Sequence, residues 1–88
     1  MILLVTYDLK QPNASYSELF DALKGEDSWA HYISSTWMIA TDKSASQFSS
    51  ELTPHIFSGD RLLVVKLSDD RQGWLPRKAW DWIKRHSD

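Results

Sequence analysis

Two short, apolar, β-rich runs, Ile2-Leu3-Leu4-Val5-Thr6-Tyr7 and Leu62-Leu63-Val64-Val65, constrain this chain more than any other feature. Each is too short for an ordinary helix and nearly continuous in its hydrophobicity, as expected of a strand covered on both faces. In the first run Leu3, Val5 and Tyr7 alternate with Ile2, Leu4 and Thr6, so neither side of that strand reads as a solvent face. The chain must therefore build a sheet and cover both of its sides with 88 residues. A chain of that length buries roughly 60 to 65 per cent of its unfolded surface and forms one domain.

The remaining segments supply the cover. Ser15-x-x-Glu18 has capping-box spacing and predicts a helix to about Lys24, with Tyr16, Leu19, Phe20 and Leu23 as one buried stripe and Gly25 as its stop. Trp29 to Ile33 and Thr36 to Thr41 are aromatic and β-branched, and Ser34-Ser35 leaves room only for a tight hairpin or a bulged bend. Ser44-x-x-Gln47 repeats the capping spacing before a helix with Ala45, Phe48 and Leu52 facing inward, closed by Pro54. Phe57-Ser58-Gly59-Asp60 is a turn into the second apolar strand, and Pro76 opens a third helix reaching about Arg85, in which Trp80 and Ile83 share a face with Ala79 and Trp82 is offset. The order is β-α-β-β-α-β plus a helix. It predicts an α+β, ferredoxin-like arrangement with antiparallel sheet order 4-1-3-2. Residues 1–67 form the core and 68–88 a Trp-rich extension of a single domain, 1–88. Two helices cover one sheet face, so the other must be covered by the third helix or by a second copy of the chain, since a bare sheet would exceed the apolar patch a monomer usually exposes. A homodimer is the expectation.

Composition narrows the function. There is no cysteine, which excludes disulfide frameworks and Cys-based zinc sites and fits a reducing, cytoplasmic setting. No apolar run is long enough to span a membrane, and residues 2–5 are too short for a signal sequence. Gly25, Gly59 and Gly73 make no glycine-rich phosphate loop, so no nucleotide or other small-molecule cofactor is implied. No Cys nucleophile or G-x-S-x-G elbow is present. His31, His55 and His86 are isolated and give little basis for a histidine metal site. The net charge of −2 hides an asymmetry, because residues 1–60 carry three basic and eight acidic side chains whereas 61–88 carry seven and four. Arg61, Arg77, Lys78, Lys84 and Arg85 are thus candidate phosphate contacts, with a solvated helix face as the plain alternative. Five tryptophans are heavy usage. Trp74, Trp80 and Trp82 serve core or interface packing first, and base stacking second.

The most informative single residue is Asp8, a carboxylate at the end of a buried strand, where something must pair with it or bind it. The predicted sheet brings it near Ser34, Ser35 and Thr36, and near Asp60 and Arg61. It could cap a turn or pair with Arg61 or Lys10. It could instead hold Mg²⁺ or Mn²⁺, which need only one or two carboxylates beside water and phosphate oxygens, so that two copies of Asp8 in a dimer would complete a site. Ser34, Ser35 and Thr36 could then position phosphate oxygens, Ser35 foremost, with a structural role in the hairpin bend as the plain alternative.

Thr6-Tyr7-Asp8-Leu9, the helix after it, Ser34-Ser35-Thr36-Trp37 and Asp60-Arg61-Leu62-Leu63-Val64-Val65 together resemble the Cas2 and VapD group of small ferredoxin-like proteins. The resemblance covers about residues 1–67. It implies a homodimer, with metal-dependent endonuclease or ribonuclease activity in some members and a scaffolding role in CRISPR adaptation for Cas2. Asp8 matches the family's metal-binding aspartate at the dimer interface, and Ser34 or Ser35 matches the serine of its S-V-F stretch. The family's first helix is typically rich in Arg and Lys, whereas this one carries Glu18, Asp21 and only Lys24. The leading expectation is a Cas2-like, metal-dependent nuclease acting on RNA or DNA. The alternatives are a noncatalytic nucleic-acid-binding dimer and a regulatory protein-interaction module, the latter favoured by the acidic first 60 residues.

Overall fold

The computed structural model describes residues 1–87. Its elements are β1 (Ile2–Asp8), α1 (Ser17–Lys24), β2 (Ser28–Ile33), β3 (Thr36–Ala40), α2 (Ala45–Leu52) followed by a 3-10 turn (Thr53–His55), β4 (Arg61–Lys66) and α3 (Arg77–His86). The four strands form one antiparallel sheet ordered β2-β3-β1-β4, which read from the β4 edge is 4-1-3-2. β1 is central because its two-sided apolar pattern needs cover on both faces. Leu3 and Val5 point into one core with Leu19, Leu23, Trp37, Ile39, Phe48 and Leu52, whereas Ile2 points into a second with Ala30, Met38, Ala40, Trp82 and Ile83.

The helix starts divide. Ser44 accepts from Gln47 N (3.1 Å) and the Gln47 side chain accepts from Ser44 N (2.9 Å), a complete capping box at α2. At α1 the expected box does not form: the helix begins at Ser17 with Tyr16 as its uncapped N-cap, and the Ser15 hydroxyl lies 3.0 Å from that of Ser17. Tyr16 is held elsewhere, with its phenol donating to Asp60 at 2.9 Å. That tertiary bond fixes the entry of α1 and displaces the local cap.

α3 covers part of the second face. Ala79, Trp82 and Ile83 are its buried residues, and the Trp82 indole N–H donates to Ser28 Oγ at 2.9 Å. The expectation that Trp82 is offset from the buried stripe is thereby corrected: Trp82 is inside and Trp80 lies at the margin. An indole buried with its one donor satisfied packs well there. The cover is incomplete. α3 lies against β2, and on β4 Leu63 and Val65 remain 57% and 38% exposed.

Between α2 and β4 the turn Phe57–Asp60 is closed by Asp60 N–H donating to the Phe57 carbonyl at 3.0 Å. Gly59 occupies its third position with φ +90°, a conformation that L side chains rarely adopt. Under α2, Glu26 accepts from Thr41 Oγ1 and from Lys43 Nζ, both at 2.7 Å, and Lys43 also reaches Glu51. Burial alone would raise the Glu26 carboxyl, but the bonds from Lys43 and Thr41 outweigh it and hold the pKa below its ordinary value.

Candidate functional site

Strand alternation places Asp8 on the α3 side of the sheet. Leu3, Val5 and Tyr7 belong to the α1–α2 side, so Ile2, Leu4, Thr6 and Asp8 face the other way. Opposite β1, Arg61 pairs with Asp8 and Leu63 with Thr6, and directly opposed residues of an antiparallel pair share a face. Asp8, Arg61, Leu63 and Val65 therefore share the half of the face that stays exposed, and Asp8, Arg61 and Leu63 border a shallow depression with Thr6, Tyr7 and Leu62.

The carboxylate is exposed (59%) and lies 2.9 Å from Lys10 Nζ, one of the two ion pairs the sequence left open. The β2–β3 turn is alongside, because Tyr7 N–H and Thr6 Oγ1 donate to the Ser35 carbonyl at 3.1 and 3.3 Å. Ser35 is thus brought beside the end of β1, on an exposed turn. As a metal donor set this is one hard carboxylate per chain: among the described residues there is no group of three His, Cys, Asp or Glu side chains able to hold an ion. A single carboxylate suits a cation that keeps most of its waters and takes phosphate oxygens from a substrate.

Arg77, Lys78, Lys84 and Arg85 are all exposed on α3, outside its buried stripe. The structure does not gather them around Asp8. They form two pairs at opposite ends of a helix about 15 Å long, which packs against β2. Lys84 and Arg85 sit in the last turn, where the helix dipole favours cations. Arg77 and Lys78 sit in the first turn, which holds no acidic residue and where the dipole disfavours them, so helix stability does not account for their placement. Trp74, just before, is 99% exposed.

Two features were missed in the sequence. The first is Asp60, whose carboxylate accepts from Lys10 N (2.6 Å), Phe57 N (2.8 Å) and the Tyr16 phenol (2.9 Å). Burial pushes its pKa upward, but the two backbone donors and the phenol together hold it below the ordinary value. Asp60 is committed to tying the loop after β1 to the turn before β4, and the Ser-Gly-Asp turn was its available signal. The second is a ring cluster on the α1 side: the His31 ring lies on Trp37 at 3.9 Å and 14°, with Trp29 at 5.2 Å and Phe20 at 6.2 Å from Trp37. Its signal was the alternation Trp29-x-His31 on β2.

Among the described residues no helix is long and apolar enough to cross a membrane. No family model, curated protein or solved structure matches the chain.

Proposed function

We propose that the protein is a Cas2-like homodimer of the ferredoxin-like fold, acting in the cytoplasm as a metal-dependent endonuclease or ribonuclease on nucleic-acid phosphodiesters. One observation carries this reading: Asp8 and Arg61 share the uncovered half-face with Leu63 and Val65. A second copy seated face to face over Leu63 and Val65 would remove them from water and draw two Asp8 carboxylates toward one another. Mg²⁺ or Mn²⁺ held between them would polarise a phosphodiester oxygen. Arg61 would neutralise the phosphate and Ser35 would orient it, after Lys10 is displaced from Asp8. The β-α-β-β-α-β order and the strand order support the fold assignment.

The test is cleavage of short RNA and of double-stranded DNA with Mg²⁺, Mn²⁺ or EDTA, comparing the parent with Asp8→Ala. Metal-dependent cleavage lost in the variant supports the reading. Cleavage that survives the substitution removes the mechanism.

A noncatalytic nucleic-acid-binding dimer is the second reading, favoured by the Asp8–Lys10 pair and by Arg77 and Lys78 in the first turn of α3. It predicts affinity that falls steeply with salt, as several neutralised phosphates require, and no cleavage under any metal condition.

A further inference from the structure

We propose that the aromatic ledge formed by Trp29, His31 and Phe20, with Lys24 at its rim, is a stacking site for an unpaired nucleobase of single-stranded nucleic acid. The ledge lies on the α1 side of the sheet, at its β2 edge. Trp29, His31, Trp37, Phe20 and Lys24 border a depression of 240 Å³ there. The proposal rests on the nucleic-acid reading above for the class of ligand only, since it uses no residue of the Asp8 face.

Three observations support it. Trp29 is 41% exposed and His31 is exposed, and both project from the edge strand β2, in which only Ala30 is buried. Both rings border the depression beside α1, whose Lys24 ammonium lies over the Trp29 ring.

The ledge is also held rigid from beneath. Trp37 is buried and donates its indole N–H to the Tyr7 phenol at 3.0 Å. The Tyr7 phenol donates to the Ser34 carbonyl (3.4 Å), and the His31 Nε2–H donates to the same carbonyl (3.0 Å). His31 is therefore clamped at its edge while it lies flat on Trp37. Rings already fixed in place lose little freedom when a base stacks on them.

Charge completes the argument. Lys24 Nζ stands 5.6 Å from the Trp29 ring, and among the described residues no carboxylate borders the depression. A planar cation would be repelled by Lys24, whereas a planar base bearing a phosphate offers a π-face to the rings and an anion to the ammonium. Aromatic faces beside a cation are how single strands are held without regard to sequence. Because the ledge is on the opposite sheet face from Leu63 and Val65, dimerisation there leaves it free.

The test is fluorescence anisotropy of labelled oligo(U) and oligo(dT) titrated with the full chain in EDTA at low salt, comparing the parent with Trp29→Ala, Trp29→Phe, Lys24→Ala and Asp8→Ala. Trp29→Ala is expected to weaken binding roughly 5- to 150-fold, the range for loss of one base stack, and Trp29→Phe to restore most of it. Lys24→Ala is expected to weaken binding and to reduce the slope of log affinity against log salt by about 0.7, one single-strand phosphate. Asp8→Ala is expected to keep the dependence of binding on Trp29 and Lys24, so that adding Trp29→Ala to it weakens binding as it does in the parent. Preference for oligo(U) or oligo(dT) assigns the ledge to RNA or DNA. Should Trp29→Ala fail to fold, Trp29→Phe and Lys24→Ala carry the comparison. Parent-like binding by folded Trp29→Ala and Lys24→Ala, or no binding of either strand by the parent, overturns the proposal. Loss of cleavage in Asp8→Ala with binding retained separates the two sites, and an absence of cleavage from every protein leaves this result standing on its own.

Discussion

Asp8 stands directly opposite Arg61 in the β1–β4 pair, yet its carboxylate reaches Lys10, 2.9 Å away. The three side chains place one negative and two positive charges at one end of the sheet. Both members of the Asp8–Lys10 pair are more than half exposed, where water screens the attraction and the pair adds little to stability. The pair is therefore easily exchanged for a stronger ligand.

Asp8→Ala is accordingly expected to change folding stability by no more than about 0.5 kcal/mol, as for surface substitutions that break no buried contact. Urea unfolding checks this. The same variant is expected to lose metal-dependent cleavage, so activity and stability separate at this residue.

Leu63→Lys is expected to leave the chain folded and to convert a dimer to a monomer. Leu63 is more than half exposed in the single chain, and a charge there costs a monomer little but blocks an apolar interface. Sedimentation should give twice the chain mass for the parent and the chain mass for the variant. A parent that sediments as a monomer at micromolar concentration contradicts the proposed pairing.

The two serines of the capping patterns should behave differently. Ser44→Ala removes a formed cap and is expected to cost about 1 kcal/mol. Ser15→Ala removes none, because α1 begins without a side-chain cap, and is expected to lie within about 0.5 kcal/mol of the parent. Chemical denaturation of the two variants side by side measures the difference.

Stability should be lost at both ends of the pH scale, for separate reasons. Asp60 and Glu26 titrate below their ordinary values in the fold, so their contribution is complete above the unfolded carboxyl values and is lost as pH falls through the lower folded ones. Tyr16 is pushed up, by burial first and by its bond to Asp60 second. Its contribution is present below the unfolded tyrosine value and is lost as pH rises through the folded one. Lys43, raised by its bonds to Glu26 and Glu51, declines in the same direction. Thermal melts across pH should therefore show a broad neutral plateau. Tyr16→Phe should weaken the alkaline decline without abolishing it, and should start the acid decline at higher pH, because Asp60 loses one of its donors.

Much of the architecture was legible because it rests on patterns of short range. The continuous apolar run of β1 marked a central strand, Ser34-Ser35 marked the bend between β2 and β3, and Ser44-x-x-Gln47 marked the start of α2. The α1 cap failed because a residue 44 positions away competes for Tyr16, and local spacing carries no record of such a partner. Trp82 was misplaced for a related reason. Its face was assigned from helical spacing alone, whereas its burial follows from Ser28 and Met38 on the sheet beneath. At the candidate site the sequence placed Asp8 beside Arg61 and Ser35. It did not distinguish Lys10 from Arg61 as the ion-pair partner, because that choice depends on how the loop after β1 is tied to Asp60.

β4 is joined to α3 by residues 67–76, which include no helix or strand. The helix is pinned by a short stripe of Ala79, Trp82 and Ile83 and by the bonds from Trp82 to Ser28 and from Arg71 to Ser87. The larger core, built from Leu3, Val5, Phe48 and their neighbours, has no member from α3. α3 therefore rests on the smaller core alone, beside Ile2, Ala30, Met38 and Ala40. Those four residues are buried with Trp82 and Ile83, whereas Leu63 and Val65 stay exposed on the same sheet face. The apolar face is thus divided between a part that the chain covers for itself and a part that it leaves to water.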